Sequence, residues 1–242
     1  VGTGAAACVL KVADLSAGRE ERAAKLSVLN GRPDARQAAR AEFALAARFN
    51  HPNLARYFDL DIPPGGPLAL TTMEFVDGVP FGAGAAAAGA AAAGRDAVLA
   101  CGVMVEVLRG LAFLHDAGLV HGDVKPGNVL CGVSDGRPYA RLLDFHLTVR
   151  AAGPDQAPPG ARGTLRYMAP EVVAGGTPEA RSDLYSAGVM LFEALTGRRL
   201  FDGAPGELAA QHLAAPAARM QDAGALAGVL ERLLSKHPEG RY

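Results

Sequence analysis

Long apolar runs are scarce in this 242-residue chain. No stretch approaches the roughly 18 residues that a membrane span requires, and no charged-then-apolar leader opens it, so neither an anchor nor a signal segment is expected within it. Cysteine is scarce too. Cys8, Cys101 and Cys131 are odd in number and far apart, which argues against a disulfide framework or a zinc site and fits a reducing, cytoplasmic compartment. Neither sign of charge dominates: 24 basic residues face 25 acidic ones, for a net charge of -1. That balance gives no electrostatic surface for nucleic acid. The alanine-glycine tract at 82–94 is apolar by count but buries too little surface to sit in lipid, and reads as a low-complexity linker or weak helix. No internal repeat is visible. What remains is ample for a core: hydrophobic residues make up 50% of the chain, enough for two lobes.

The chemistry sits in His121-Gly122-Asp123-Val124-Lys125-Pro126-Gly127-Asn128, followed by Asp144-Phe145-His146. Asp123 and Lys125 are one residue apart, so in an extended loop their side chains point the same way. Between Asn128 and Asp144, Val129-Leu130-Cys131, a Ser134-Asp135-Gly136 turn and Ala140-Arg141-Leu142-Leu143 read as a hairpin that returns Asp144 to Asn128. This constellation resembles that of the protein kinase family. The resemblance implies that Asp123 accepts the proton of an incoming hydroxyl while Lys125 neutralises charge on the transferred phosphoryl group. Asn128 and Asp144 then supply the few hard oxygen ligands that magnesium takes beside the phosphates of ATP.

The likeness runs on. Gly163-Thr164-Leu165-Arg166-Tyr167-Met168-Ala169-Pro170-Glu171 resembles the substrate-docking segment and Ala-Pro-Glu motif of the family. Asp183-Leu184-Tyr185-Ser186-Ala187-Gly188 resembles its buried central helix, and Arg241 stands where the family pairs an arginine with the glutamate of that motif. Lys125 and Gly163-Thr164 are similar to the serine/threonine branch, in which the loop threonine, here Thr164, braces the aspartate and lysine. Composition and the Glu42 to His51-Pro52-Asn53 stretch resemble bacterial members.

Upstream, Cys8-Val9-Leu10-Lys11-Val12 is similar to the Val-Ala-Ile-Lys strand. A helix opened by Pro33 and ended by His51-Pro52 carries Glu42 at the family's position for the glutamate that pairs with the strand lysine. Lys11 is then expected on the α- and β-phosphates with Glu42 holding it, and the charged stretch 14–32 reads as a surface insertion. Residues 68–78 resemble the strand and hinge between the lobes. Met73 is expected to line the back of the adenine pocket or serve as plain core, and the backbone of Glu74 to Val76 to bond the adenine edge.

Beyond the hinge, a helix over 95–117 places Val98, Cys101, Val105, Leu108 and Ala112 at steps of three and four. A second spans 183–196 and ends at Gly197, with two more at 207–213 and 226–234. The implied fold is α+β and bilobal: a small antiparallel β lobe with one main helix at 1–76, and a larger, mainly helical lobe at 77–242.

Three departures from the family pattern set further expectations. Gly2 and Gly4 lie too close to Lys11 for a glycine-rich hairpin, so the chain reads as a fragment lacking that loop, with further domains outside it. Gly122 replaces the arginine that in many kinases receives a phosphate, and residues 150–163 hold no serine, threonine or tyrosine. Activity is therefore expected not to depend on activation-segment phosphorylation, so phosphatase treatment should leave it intact. His146 replaces a glycine and is expected to restrict the local backbone. The resemblance thus implies an ATP- and magnesium-dependent serine/threonine kinase with a protein substrate. The alternative is a pseudokinase that senses nucleotide or binds protein; small-molecule phosphotransferases of related fold are a weaker third reading.

Overall fold

The computed structural model describes residues 2–4, 7–15, 17–29, 34–82, 93–144, 165–216 and 224–242. The chain divides into two compact units, Val1–Asp77 and Gly78–Tyr242, and each is described by itself.

Unit 1 is an antiparallel sheet with one helix. Its strands are β1 (Gly2–Gly4), β2 (Ala7–Asp14), β3 (Glu20–Val28), β4 (Tyr57–Asp61) and β5 (Leu68–Glu74), in the order β1-β2-β3-β5-β4. Helix α1 (Ala35–Ala46) stands between β3 and β4 in the chain. Two sequence expectations are overturned here. The stretch taken as a surface insertion contains β3, the central strand, paired with β2 on one side and β5 on the other. Its charges hid it. Glu20, Glu21 and Arg22 open the strand at the sheet's rim, and only then do Ala23 and Ala24 become buried; two alanines give a weak apolar signal. The turn from β2 into β3 uses left-handed backbone at Gly18 and Arg19, both at φ 68°.

The second overturned expectation follows from the first. With β3 placed at 20–28, the strand carrying Lys11 becomes β2, and β1 pairs with it in the register Gly2↔Val9, Thr3↔Cys8 and Gly4↔Ala7. Such a register is a tight hairpin, so the glycine pair does open a two-stranded ribbon.

Unit 2 is mainly helical. Helix α2 (Ala93–Asp116) leads to a three-stranded sheet of β6 (Val79–Pro80), β7 (Val129–Ser134) and β8 (Arg137–Leu142), in the order β6-β7-β8. The β7–β8 hairpin turns at Asp135 and Gly136, both with positive φ, where side-chain-bearing residues other than Asn or Asp fit poorly. Then come α3 (Pro170–Val173), α4 (Ala180–Thr196), α5 (Pro205–Ala214) and α6 (Ala227–Leu233). Helix α4 is the core: Tyr185, Ala187, Val189, Met190 and Phe192 are almost wholly buried. It passes α6 so closely that a Cβ on Gly188 would lie 2.9 Å from Leu233 Cβ. Gly197, left-handed at φ 65°, ends it and donates its N–H to Glu193 O at 2.9 Å, a glycine stop of the expected kind.

Helix α2 corrects a third reading. The stripe traced through Val98 and Val105 faces outward, with Val98 75% exposed. The buried face is Val103, Met104, Val107, Leu111 and Leu114, packed on α4 and β8. Gly102 marks that side, since a Cβ there would meet Pro138 Cγ at 2.7 Å. The helix is apolar nearly all round, so periodicity alone could not choose its face. By length and composition Ala97–Asp116 could also cross a membrane, contrary to the reading of the sequence, although core helices meet the same criterion.

Candidate active site

The strongest site geometry lies in the loop between α2 and β7. A 3-10 turn at Pro126–Asn128 folds Asn128 back, so that its Nδ2 donates to both Asp123 O and Asp123 Oδ2 at 2.8 Å. Lys125 Nζ reaches the same Oδ2 at 2.6 Å. One oxygen of Asp123 is therefore fixed by two donors. The other, Oδ1, is buried and has no hydrogen-bond partner among the described residues. A carboxylate held through one oxygen and unpartnered at the other keeps lone pairs with which it can accept a proton. A small cavity of about 20 Å³ adjoins it, lined by Asp123, Val124, Tyr167, Met168, Ala169 and Val172 among others.

His121 holds the loop from beneath and is fully buried. Its Nδ1 accepts the Asp123 N–H at 3.3 Å, which leaves Nε2 to donate to Leu143 O at 3.1 Å; the two bonds together fix the tautomer. Leu143 in turn donates its N–H to Asn128 O at 2.8 Å. Asp144 thus follows directly from a residue bonded to both His121 and Asn128, and it sits in left-handed backbone at φ 51°. Because its Nδ2 makes both contacts to Asp123, Asn128 keeps its side-chain oxygen as an acceptor. An amide oxygen and a carboxylate are the kinds of ligand that magnesium takes, completing its shell with phosphate and water. Among the described residues no cluster of three or more His, Cys, Asp or Glu forms a denser cation site.

Sequence reasoning gave Asp183 no role of its own, and the structure supplies one. Its buried carboxylate accepts His121 N–H at 2.9 Å through Oδ2 and Gly122 N–H at 2.9 Å through Oδ1, and lies 2.8 Å from His115 Nε2. The core helix α4 therefore grips the loop of Asp123 by its backbone. Gly122 has φ 74°, so the residue in the arginine's place also makes the turn that points both amides at Asp183. The place of Asp183 in a segment resembling the family's central helix was legible in the sequence; its bonds to the loop were not.

The docking segment is tied to the same helix. Tyr167 lends its carbonyl to Ser186 Oγ at 2.7 Å, and its hydroxyl donates to Glu193 Oε2 at 2.9 Å. Burial lifts the Glu193 carboxyl above its ordinary range, although the Tyr167 bond opposes this. Glu171 makes the pair expected with Arg241, bidentate at 2.8 Å for both contacts. Thr164 lies outside the described residues, as do Phe145 and His146.

In unit 1, Lys11 is 2.7 Å from Glu21 Oε1 with its side chain 43% exposed, and it sits 4.2 Å over the Phe75 ring. Its ion pair is with Glu21, where Glu42 was expected, because β2 carries it to the rim beside the start of β3. Glu42 is on the exposed side of α1. Another lysine occupies the sheet's centre. Lys25 lies on β3 opposite Val9 of β2 and Thr71 of β5, two residues from buried Ala23 and hence on its face. Sequence reasoning missed it; the signal was Ala23-Ala24-Lys25, a small-residue version of the Val-Ala-Ile-Lys pattern. Met73 is buried opposite Ala23. Glu74 is engaged by Arg56, donating its N–H to Arg56 O at 2.7 Å and accepting Arg56 N–H at 3.2 Å. Val76 is half-buried.

Comparison with known proteins assigns the chain to a family. The family described as protein kinase domain matches residues 1–225. The chain is 33% identical over 223 residues to the serine/threonine-protein kinase PknB of Mycobacterium tuberculosis, covering 84% of this chain and 33% of that protein. It is 34% identical to the serine/threonine-protein kinase Pkn1 of Myxococcus xanthus, covering 87% and 30%. To the serine/threonine-protein kinase PksC of Streptomyces coelicolor it is 31% identical, covering 86% and 39%. The chain thus spans about a third of the length of the curated relatives it matches.

Proposed function

This chain belongs to the protein kinase family, and we propose that it transfers the γ-phosphate of ATP to serine or threonine hydroxyls of a protein. The observation that carries this reading is the asymmetry of Asp123, whose Oδ2 is held by Lys125 and Asn128 while Oδ1 is buried without a hydrogen-bond partner among the described residues. An acceptor hydroxyl beside Oδ1 loses its proton to that oxygen as its own oxygen bonds to phosphorus and the bond to ADP breaks. Lys125 keeps the carboxylate aligned and adds positive charge near the transferred group. Asn128 and Asp144 would hold magnesium, which supplies charge neutralisation for the phosphates.

On this reading the strand lysine is Lys25 rather than Lys11, with Glu42 as its partner and the α- and β-phosphates as its target. The β1–β2 hairpin, Gly2-Thr3-Gly4 leading through Ala7 to Val9, resembles the glycine-rich phosphate loop with alanine in place of its third glycine. Met73 backs the adenine, and Glu74 to Val76 present backbone to its edge. Residues 1–76 serve as the nucleotide-handling lobe and 77–242 as the catalytic lobe. The pseudokinase alternative rested on a missing phosphate loop and on His146; the β1–β2 hairpin weakens the first support, and His146 lies outside the described residues.

The test is Asp123→Asn. Loss of a general base should lower kcat by about a hundredfold or more with ATP affinity nearly unchanged. Equal turnover in variant and wild type would refute the role assigned to Asp123.

A further inference from the structure

The turn Leu165–Tyr167, which leads into the wall beside Asp123, is fixed on one side by Tyr167. What fixes its other side is a cation. Arg166 Nη1 donates to Phe201 O at 2.7 Å, and its Nη2 lies 3.1 Å from Asp202 Oδ1. The Arg166 side chain is only 18% exposed, whereas that of Asp202 is 68% exposed. The loop it grips is itself braced. Asp202 Oδ1 accepts the Gly203 N–H at 3.0 Å and a bond from Arg199 Nη1 at 3.2 Å, and Asp202 O accepts Gln211 Nε2 at 2.7 Å from helix α5. The arginine therefore spans from the docking segment to a loop already tied to a helix.

We propose that Arg166 is a positioning residue for the protein substrate, clamping the docking segment to the Phe201–Asp202 loop so that the segment stands ready to receive polypeptide. The proposal rests on the kinase reading and adds how its docking surface is held. Three features carry it. A planar fork can meet a carbonyl and a carboxylate at once, which a lysine ammonium on a single stem does less well. An ion pair to so exposed a carboxylate contributes little to stability, so the clamp's effect lies in placement rather than in holding the fold. Placement here is consequential, because Met168 and Ala169, the next residues, wall the cavity beside Asp123. The clamp also accords with the absence of the phosphate-receiving arginine at Gly122: a fixed guanidinium supplies order that elsewhere comes from a phosphate.

The experiment measures transfer to dephosphorylated casein, together with the slow hydrolysis of ATP in the absence of acceptor protein. In Arg166→Gln the KM for casein should rise about tenfold, since small misplacements of a docked substrate are costly. The KM for ATP and the acceptor-free hydrolysis should stay within about twofold of wild type. Arg166→Lys should fall between the two. Asp202→Asn, at an exposed position, should raise the casein KM about threefold through loss of one arm of the clamp, and it reports on the same contact should Arg166→Gln fail to fold. A casein KM unmoved in both variants, or ATP and casein KM values rising in step, would overturn the proposal. A wild-type chain that transfers no phosphate at all would instead overturn the kinase reading beneath it.

Discussion

Replacing Arg241 by methionine should expose how unit 2 holds its docking segment. The guanidinium is wholly buried and meets both oxygens of Glu171 at 2.8 Å. It also donates to Ser235 O and Arg181 O at 2.9 Å. Methionine keeps the apolar volume and removes the charge, stranding a carboxylate whose side chain is 19% exposed. Breaking a buried pair in this way costs about 3–5 kcal/mol. The backbone carbonyls lose their donor in any Arg241 variant, so the double variant Glu171→Gln with Arg241→Met isolates the stranded charge; it should recover about 1–3 kcal/mol over the single one. The pH dependence gives a separate check. Burial alone would raise the Glu171 pKa above 4.5, but the bonds from Arg241 and Ser182 outweigh it and hold the carboxyl below that value. The pair's stabilisation is thus complete above the usual carboxylate range and is lost as pH falls through the lowered pKa. In Arg241→Met the lone carboxyl shifts the other way, and its penalty is relieved on protonation. Urea unfolding from about pH 7 to about pH 4 should show the gap between wild type and variant narrowing toward acid. A gap under about 1 kcal/mol at neutral pH, or one of constant size, would refute the reasoning.

A second acid-sensitive group is His212 on α5, fully buried, with Nδ1 2.9 Å from the Tyr185 hydroxyl. Burial, helped by the nearby charge of Lys236, pushes its pKa from 6.5 down to about 4. The unfolded chain therefore takes up a proton that the folded chain refuses, and stability should fall by roughly 3 kcal/mol as pH drops from the first value toward the second. His212→Gln keeps an acceptor for Tyr185 and should flatten that slope in thermal melts; an unchanged slope would clear His212 of the effect. In the nucleotide lobe, Lys25→Met should reduce kcat/KM for ATP by about a hundredfold, whereas Lys11→Met, which removes a rim ion pair, should change it less than about threefold. The reverse ranking in steady-state assays would restore Lys11 to the role first expected of it.

The legibility of the chain differed between its two units for a physical reason. Asp123, Lys125 and Asn128 lie within one short loop, and the hairpin that follows has a turn marked by Asp135-Gly136, so local spacing alone brings them together. Their geometry could be read before any tertiary contact was known. In unit 1 the deciding fact is which strand is central, and that is a tertiary fact. The buried part of β3 is only Ala23 and Ala24, too small to stand out beside Val9, Leu10 and Val12 of β2. The more hydrophobic strand was consequently given the lysine's role. Helix α2 failed for the opposite reason, carrying apolar residues on more faces than one partner can cover.

The same contrast explains why Asp183 went unread as a functional group. A carboxylate inside a core helix looks from sequence like an anomaly or a surface residue, and its worth depends on two backbone N–H groups some sixty residues away in the chain. Those amides belong to His121 and Gly122, which are turned inward by the positive φ of Gly122. Without an acceptor there they would be buried and unpaired, at about 1–3 kcal/mol each. Asp183 removes that penalty and in the same contact fixes the backbone from which Asp123 projects. Asp123, the proposed base, is thereby referenced to the core helix α4 of unit 2, and the segment around Tyr167 is referenced to it as well through Ser186 and Glu193. On the proposed reading, one element thus sets the distance between the proton acceptor and the segment proposed to receive polypeptide. Substitutions in α4 far from Asp123 should for this reason impair transfer more than their effect on stability would suggest.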